Sequence, residues 1–159
     1  TNCLRELLEL GQRRGMVIAF NPAPFEEKLL HTDLSAVSYF MLNLRTGRQM
    51  TGAETPQEIC AALLDRYPEA HITLTLGSQG SLYCTSQERI AQHAYPAQVV
   101  DPTGAGDVFA GYFLASVARG VRVERALRNA TKAAALSVGH LGACEYVPTP
   151  EDVENAYRL

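Results

Sequence analysis

The sequence predicts an α/β protein with a mainly parallel central sheet flanked by helices on both faces. Three observations carry this. Amphipathic helical stretches alternate with short strand-like runs, the repeating unit of an open α/β sheet. The strand candidates are continuous apolar runs without alternation, as in strands buried on both faces. Glycine- or proline-bearing turns stand at the C-terminal ends of those runs, where such sheets bind ligands. All 159 residues read as a single domain.

Taken in order, Leu4, Leu7 and Leu8 recur at helical spacing between Asn2 and Arg14, and Gly15 stops that helix. Met16-Val17-Ile18-Ala19-Phe20 reads as a buried strand that ends at Asn21-Pro22-Ala23-Pro24, where proline removes ladder donors. Ala36 to Leu42 is a second buried strand, closed by Asn43. Thr55-Pro56-Gln57-Glu58 has the capping box and first-turn proline of a helix whose apolar face is Ile59, Ala62, Leu63 and Tyr67. His71 to Leu76 forms a strand, Gly77-Ser78-Gln79-Gly80 a turn, and Ser81 to Cys84 a further strand. Arg89 to Pro96 and Gln98 to Val100 read as shorter strands. Two helices follow, one to about Ala118 and so apolar that it must be buried, the other from Val123 to Val138 with a stripe of Leu127, Ala130, Ala134 and Val138. Thr149-Pro150-Glu151-Asp152 caps a last helix running to Leu159.

Composition narrows the function. A net charge of −3 offers no basic face for nucleic acid. No apolar run approaches the ~20 residues of a membrane span, so a cytoplasmic protein without membrane partners is expected. Cys3, Cys60, Cys84 and Cys144 are scattered, without Cys-x-x-Cys or histidine at metal-ligand spacing, and read as buried reduced thiols. Lys28 and Lys132 are the only lysines and neither follows a glycine loop, which excludes a Gly-x-x-x-x-Gly-Lys-Ser/Thr phosphate loop.

The most informative stretch is Asp101-Pro102-Thr103-Gly104-Ala105-Gly106-Asp107, which leads straight into the apolar helix. The first amides of a helix lack partners and carry the positive end of the macrodipole. Gly104, Ala105 and Gly106 would let an anion approach them closely. Asp107 admits two readings. Aspartate in a first helical turn is favoured by the dipole alone, with Thr103 an ordinary cap. An acid beside an anion hole equally suits phosphoryl transfer, where charge builds on the phosphoryl group while a hydroxyl loses its proton. A dinucleotide site fits poorly, because Phe109 stands where the third glycine of Gly-x-Gly-x-x-Gly belongs.

Asp101 to Gly111 resembles the C-terminal signature of the ribokinase-like, or PfkB-type, carbohydrate kinases, usually Asp-Thr-x-Gly-Ala-Gly-Asp-x-Phe-x-x-Gly. Pro102 replaces the usual Thr, and Gly111 arrives one residue early. Thr75-Leu76-Gly77-Ser78-Gln79-Gly80 is similar to the family's nucleotide-binding turn, and Asn21-Pro22 to its strand-ending turn. The resemblance implies the C-terminal, nucleotide-binding part of a ribokinase-like fold. It implies transfer of the ATP γ-phosphoryl group to a hydroxyl of a sugar or nucleoside, with Asp107 as base and Gly104, Ala105 and Gly106 as anion hole. Asn43, Thr75, Gly77, Ser78, Gly80, Thr131, Gly142 and Ala143 would contact the nucleotide.

Mg²⁺ would bridge the phosphates, and K⁺ is implied near Asp101 and Thr103. A homodimer is compatible with the resemblance. One departure stands out. The family's Asn-x-x-Glu motif appears as Asn43-Leu44-Arg45-Thr46, with a hydroxyl where an acid helps place the metal. That departure supports an alternative, a truncated or impaired nucleotide-binding module without turnover.

Overall fold

The computed structural model describes residues 3–143 and 145–157. Its order is α1 (Leu4–Arg13), β1 (Ala19–Phe20), β2 (Tyr39–Asn43), α2 (Leu44–Thr51), α3 (Pro56–Arg66), β3 (His71–Thr75), β4 (Ser81–Cys84), β5 (Arg89–Gln92), α4 (Ala105–Ala118), α5 (Val123–Ser137) and α6 (Pro150–Asn155), with short 3₁₀ turns at Glu27–His31 and Gly77–Gln79. The chain divides into two compact units. One takes the residues up to Thr75 with Leu82–Ile90; the other takes Leu76–Ser81 with the residues from Ala91 on.

The sheet has the order β1-β2-β3-β4-β5. β1 pairs β2 and β2 pairs β3, both parallel, with Phe40 opposite Ile72 and Leu42 opposite Leu74. The short connections from β3 to β4 and from β4 to β5 permit only antiparallel pairing. β2 and β3 are apolar in succession, as expected of strands covered on both faces: Phe40, Met41, Leu42, Ile72 and Leu74 are all buried. Thr73, buried among them, donates its hydroxyl to Phe40 O at 3.0 Å.

In the first unit α2 and α3 pack together and onto β2 and β3. The α3 capping box forms as the sequence predicts: Thr55 Oγ1 accepts the Glu58 amide, and Glu58 Oε2 accepts the Thr55 amide. In the second unit α4 packs against α5 and α5 against α6, around Val108, Ala133 and Val153, with Tyr112 and Leu136 alongside.

Several expectations need correction. The strand expected over Met16 to Phe20 is only Ala19–Phe20, with Met16 61% and Val17 73% exposed. The strand from Ala36 begins instead at Tyr39, because Val37 turns back to donate to Leu34 O. Residues 44–51, for which the sequence reading offered only the Asn-x-x-Glu resemblance, form α2: Asn43 caps it, and Gly47 lets it settle on Ile59 and Leu74. The strands expected beyond Gln92 do not form.

α4 buries Val108, Phe109 and Phe113 but leaves Gly106, Gly111, Ala115 and Ala118 outward, where small side chains expose little apolar area. The buried stripe of α5 is Ala126, Leu127, Ala130, Ala133 and Ser137, with Thr131 among them. The last helix ends at Asn155. Cys60 and Cys84 are buried and free while Cys3 is exposed; Cys144 lies outside the described residues.

Candidate functional site

Gly104 caps α4 in a left-handed conformation, φ 80°, ψ −9°, which a residue with a Cβ rarely adopts. The Ala105 amide donates to Pro102 O at 3.3 Å, and the Asp107 and Val108 amides donate to Gly104 O at 3.0 and 2.9 Å. The Gly106 amide has no hydrogen-bond partner among the described residues, and Gly106 is exposed with open space where a Cβ would stand. A free amide at the positive end of a 14-residue helix is an anion-binding feature. Asp107, in the same first turn, is exposed and not turned into packing.

The turn before α4 is braced from two directions. Asp101 Oδ1 accepts the Thr103 amide and Asp101 Oδ2 accepts the Gly142 amide, both at 2.9 Å. Hydrogen bonds from the Thr103 side chain, the Thr103 amide and the Gly142 amide hold the Asp101 carboxyl below the ordinary carboxylate range. Val138 O accepts the amides of Val100 and Asp101 at 2.7 and 3.1 Å. Ala143 lies so close to Gly104 that a Cβ there would stand 2.8 Å from Ala143 O. Thus Gly142 and Ala143 meet the cradle through its own backbone.

The turn from β3 to β4 also belongs to the second unit. Gly77 (φ 60°) and Ser78 are exposed, and nothing lies within 4 Å of a Cβ placed on Gly77. Gly80 differs. It is buried at φ 103°, and a Cβ would stand 2.0 Å from Gln92 O and 2.7 Å from Ala94 N. Packing alone therefore demands a glycine at position 80. Thr131, 6% exposed, donates its hydroxyl to Leu127 O at 2.8 Å and shares a 3.1 Å hydrogen bond with Ser81.

Ser81, Val138 and the Asp101–Gly142 link escaped sequence reasoning. Their partners lie tens of residues away, beyond any local spacing. His140, an exposed loop residue as expected, stacks on Tyr146 with ring centroids 3.8 Å apart.

Asn43 and Thr75 lie in the first unit. Asn43 Oδ1 accepts the Thr46 amide at 2.8 Å, and Thr75 Oγ1 donates to Leu42 O at 3.3 Å. Thr46 is only 3% exposed, packed inside α2. Among the described residues no group of three His, Cys, Asp or Glu side chains could hold a metal ion. No helix among them is long and apolar enough to cross a membrane.

The family model described as pfkB family carbohydrate kinase matches residues 1–150. The ribokinase of Bacillus subtilis strain 168 is 38% identical over 149 residues, covering 94% of this chain and 49% of the relative. The deoxyribokinase of Salmonella typhi is 30% identical over 149 residues, covering 91% and 48%. Among solved structures, Arabidopsis thaliana ribokinase complexed with ribose and ATP superposes with a TM-score of 0.80 at 28% identity, covering 94% of this chain and 50% of that one. The ribokinase of Cryptococcus neoformans var. grubii in complex with ADP gives 0.83 at 27%, covering 96% and 55%. The chain spans about half the length of these relatives. With the family model matching residues 1–150, most of the chain, the chain belongs to the pfkB family of carbohydrate kinases.

Proposed function

We propose that this chain carries the phosphoryl-transfer end of a kinase acting on a hydroxyl of a sugar or nucleoside, with ATP as donor. The observation that carries the reading is the free, exposed Gly106 amide at the head of α4 with the exposed Asp107 carboxylate one residue on. ATP supplies the transferable phosphoryl group, as the ATP complex of the Arabidopsis ribokinase suggests.

The chain's residues then have distinct tasks. Amides of the Gly104–Gly106 turn face the charge on the group in transit, a type of contact whose loss costs ~3 kcal/mol where it has been removed elsewhere. Asp107 accepts the proton of the attacking hydroxyl; a weak base suffices because a loose transition state demands little of it until late. Gly77 and Ser78 offer an open turn to the nucleotide, while Gly80, Thr131, Gly142 and Ala143 support the backbone of the same unit; in the first unit Asn43 caps α2 and Thr75 bonds Leu42 O. Mg²⁺ comes with the nucleotide by resemblance. Since the described residues form no three-ligand cage, phosphate and water oxygens would carry the ion. K⁺ near Asp101 and Thr103 rests on resemblance alone.

A second reading is a nucleotide-binding module without turnover. The buried Thr46, which places no carboxylate where the family motif has one, favours it. ADP release from ATP across a panel of sugars and nucleosides separates the two. Acceptor-dependent ADP supports the kinase; no ADP with any acceptor, alongside ATP protection against melting, supports the module; neither ADP nor protection would refute both.

A further inference from the structure

We propose that Asp101 is a positioning residue for the anion cradle, a clasp whose carboxylate ties the turn before α4 to the loop after α5 and so holds the free Gly106 amide in its working place. The proposal rests on the phosphate-binding reading above and goes beyond it by naming what holds the cradle in its working geometry.

Each oxygen of the carboxylate has a different tether. Oδ1 takes the Thr103 amide, two residues on, closing the turn that reverses the chain into α4; Oδ2 takes the Gly142 amide, 41 residues away. The second tether carries the inference. Gly142 sits at φ 88° and is followed by Ala143, whose carbonyl and Cα crowd the side of Gly104 where a Cβ would stand. With Gly142 held, Ala143 forms a wall against which Gly104 keeps its left-handed turn. With Gly142 released, that wall is free to withdraw, and Gly104, the most permissive residue in the cradle, loses the contact that restricts it. Val138 O, bonded to the Val100 and Asp101 amides, keeps the carboxylate itself in register. A preorganised anion hole requires this kind of support behind its donors.

The clasp makes a prediction opposite in sign to simple electrostatics. Asp101 is a negative charge close to a site for anions, so charge alone would have its removal tighten anion binding. A clasp has its removal weaken binding, because the Gly106 amide loses its working place. Asn keeps one acceptor for two amide donors and so retains one tether. The order of affinity expected is Asp101, then Asp101→Asn, then Asp101→Ala. Loss of a charge-assisted hydrogen bond of this kind corresponds to about tenfold in affinity for the Ala variant.

The test is a titration of the ¹⁵N-labelled chain and the two variants with inorganic pyrophosphate, following the Ala105 and Gly106 amides by NMR in KCl and again in choline chloride. Hydrogen exchange at the Gly142 amide and melting temperature are read on the same samples. The expected result is a response at Ala105 and Gly106 in the wild type, weakened about tenfold in Asp101→Ala in both salts, with faster exchange at Gly142 and the melt largely kept. Equal or tighter binding by Asp101→Ala overturns the clasp. Weakening confined to KCl also overturns it, since the carboxylate would then be acting through a cation. Unchanged exchange at Gly142 removes the tether directly. A wild type that shows no response to pyrophosphate refutes the phosphate reading instead, and the exchange measurement still judges the tether by itself.

Discussion

Gly77 and Gly80 bound the same short turn, and replacing each by alanine should have very different consequences. At Gly80 an added Cβ would stand 2.0 Å from Gln92 O, 2.7 Å from Ala94 N and 2.8 Å from His93 C, all backbone atoms that no rotamer change can move. The conformation, φ 103° and ψ −129°, adds about 1–3 kcal/mol of backbone strain for a residue with a Cβ. Relief requires the strand end of β5 to shift and puts the 2.8 Å hydrogen bond from the Leu76 amide to Gly80 O at risk, about 1 kcal/mol more. The total for Gly80→Ala is about 2–4 kcal/mol, a fall in Tm on the order of 10 °C at this chain length. At Gly77, φ is 60° and nothing lies within 4 Å of the new methyl group, so Gly77→Ala should cost only about 1 kcal/mol, or about 3 °C. Thermal and urea unfolding of the two variants followed by circular dichroism read these values. Equal melting temperatures would refute the close approach at Gly80 and return its glycine to a ligand-binding explanation.

Two further outcomes follow from buried polar groups in the first unit. Tyr67 packs its ring on Phe40 with centroids 5.0 Å apart, yet its buried hydroxyl has no hydrogen-bond partner among the described residues. Tyr67→Phe should therefore be neutral or stabilising by about 1 kcal/mol in urea unfolding, and a loss of that size would show the hydroxyl to be partnered. His71 stacks on Tyr39 at 4.4 Å and hydrogen-bonds Tyr83 through Nδ1 at 2.5 Å, and burial pushes its pKa below the ordinary histidine value, with Glu88 opposing. The unfolded chain then binds the proton first, so stability is complete above the unfolded pKa of about 6.5 and falls as pH drops through it. Melting temperatures between about pH 7.5 and pH 5.5 should decline less in His71→Gln, which keeps an acceptor for Tyr83 without titrating; an unchanged slope would exclude His71 as a source.

What could be read from the sequence was what local chemistry determines. The Thr55–Glu58 capping box, the Pro56 start of α3 and the glycines at the head of α4 act within a few residues of themselves, and all appear where expected. α2 escaped because its start was matched only to the Asn-x-x-Glu motif, although Asn43 is a good cap and Gly52 a good stop. Nothing within that stretch announces that Gly47 must fit under Ile59 and Leu74. The strand read over Met16 to Phe20 shows the opposite error, since apolar residues are free to remain exposed and periodicity cannot see which ones do.

At the candidate site, the cradle and Asp107 were legible as a pattern of residue types, but the supports were not. Thr131 and Ser81 meet across 50 positions, and Asp101 and Gly142 across 41, so only the fold discloses that two residues read as ligand contacts serve the scaffold's own hydrogen bonds.

The proposed transfer of a hydroxyl proton to Asp107, with the adjoining amides facing a phosphoryl group, is tested by comparing the wild type with Asp107→Asn. With an acceptor found to release ADP, kcat should fall by roughly 10²–10⁴ in the variant, while nucleotide affinity, read by thermal protection with ATP, stays within about threefold. Equal kcat in the two proteins would contradict the account.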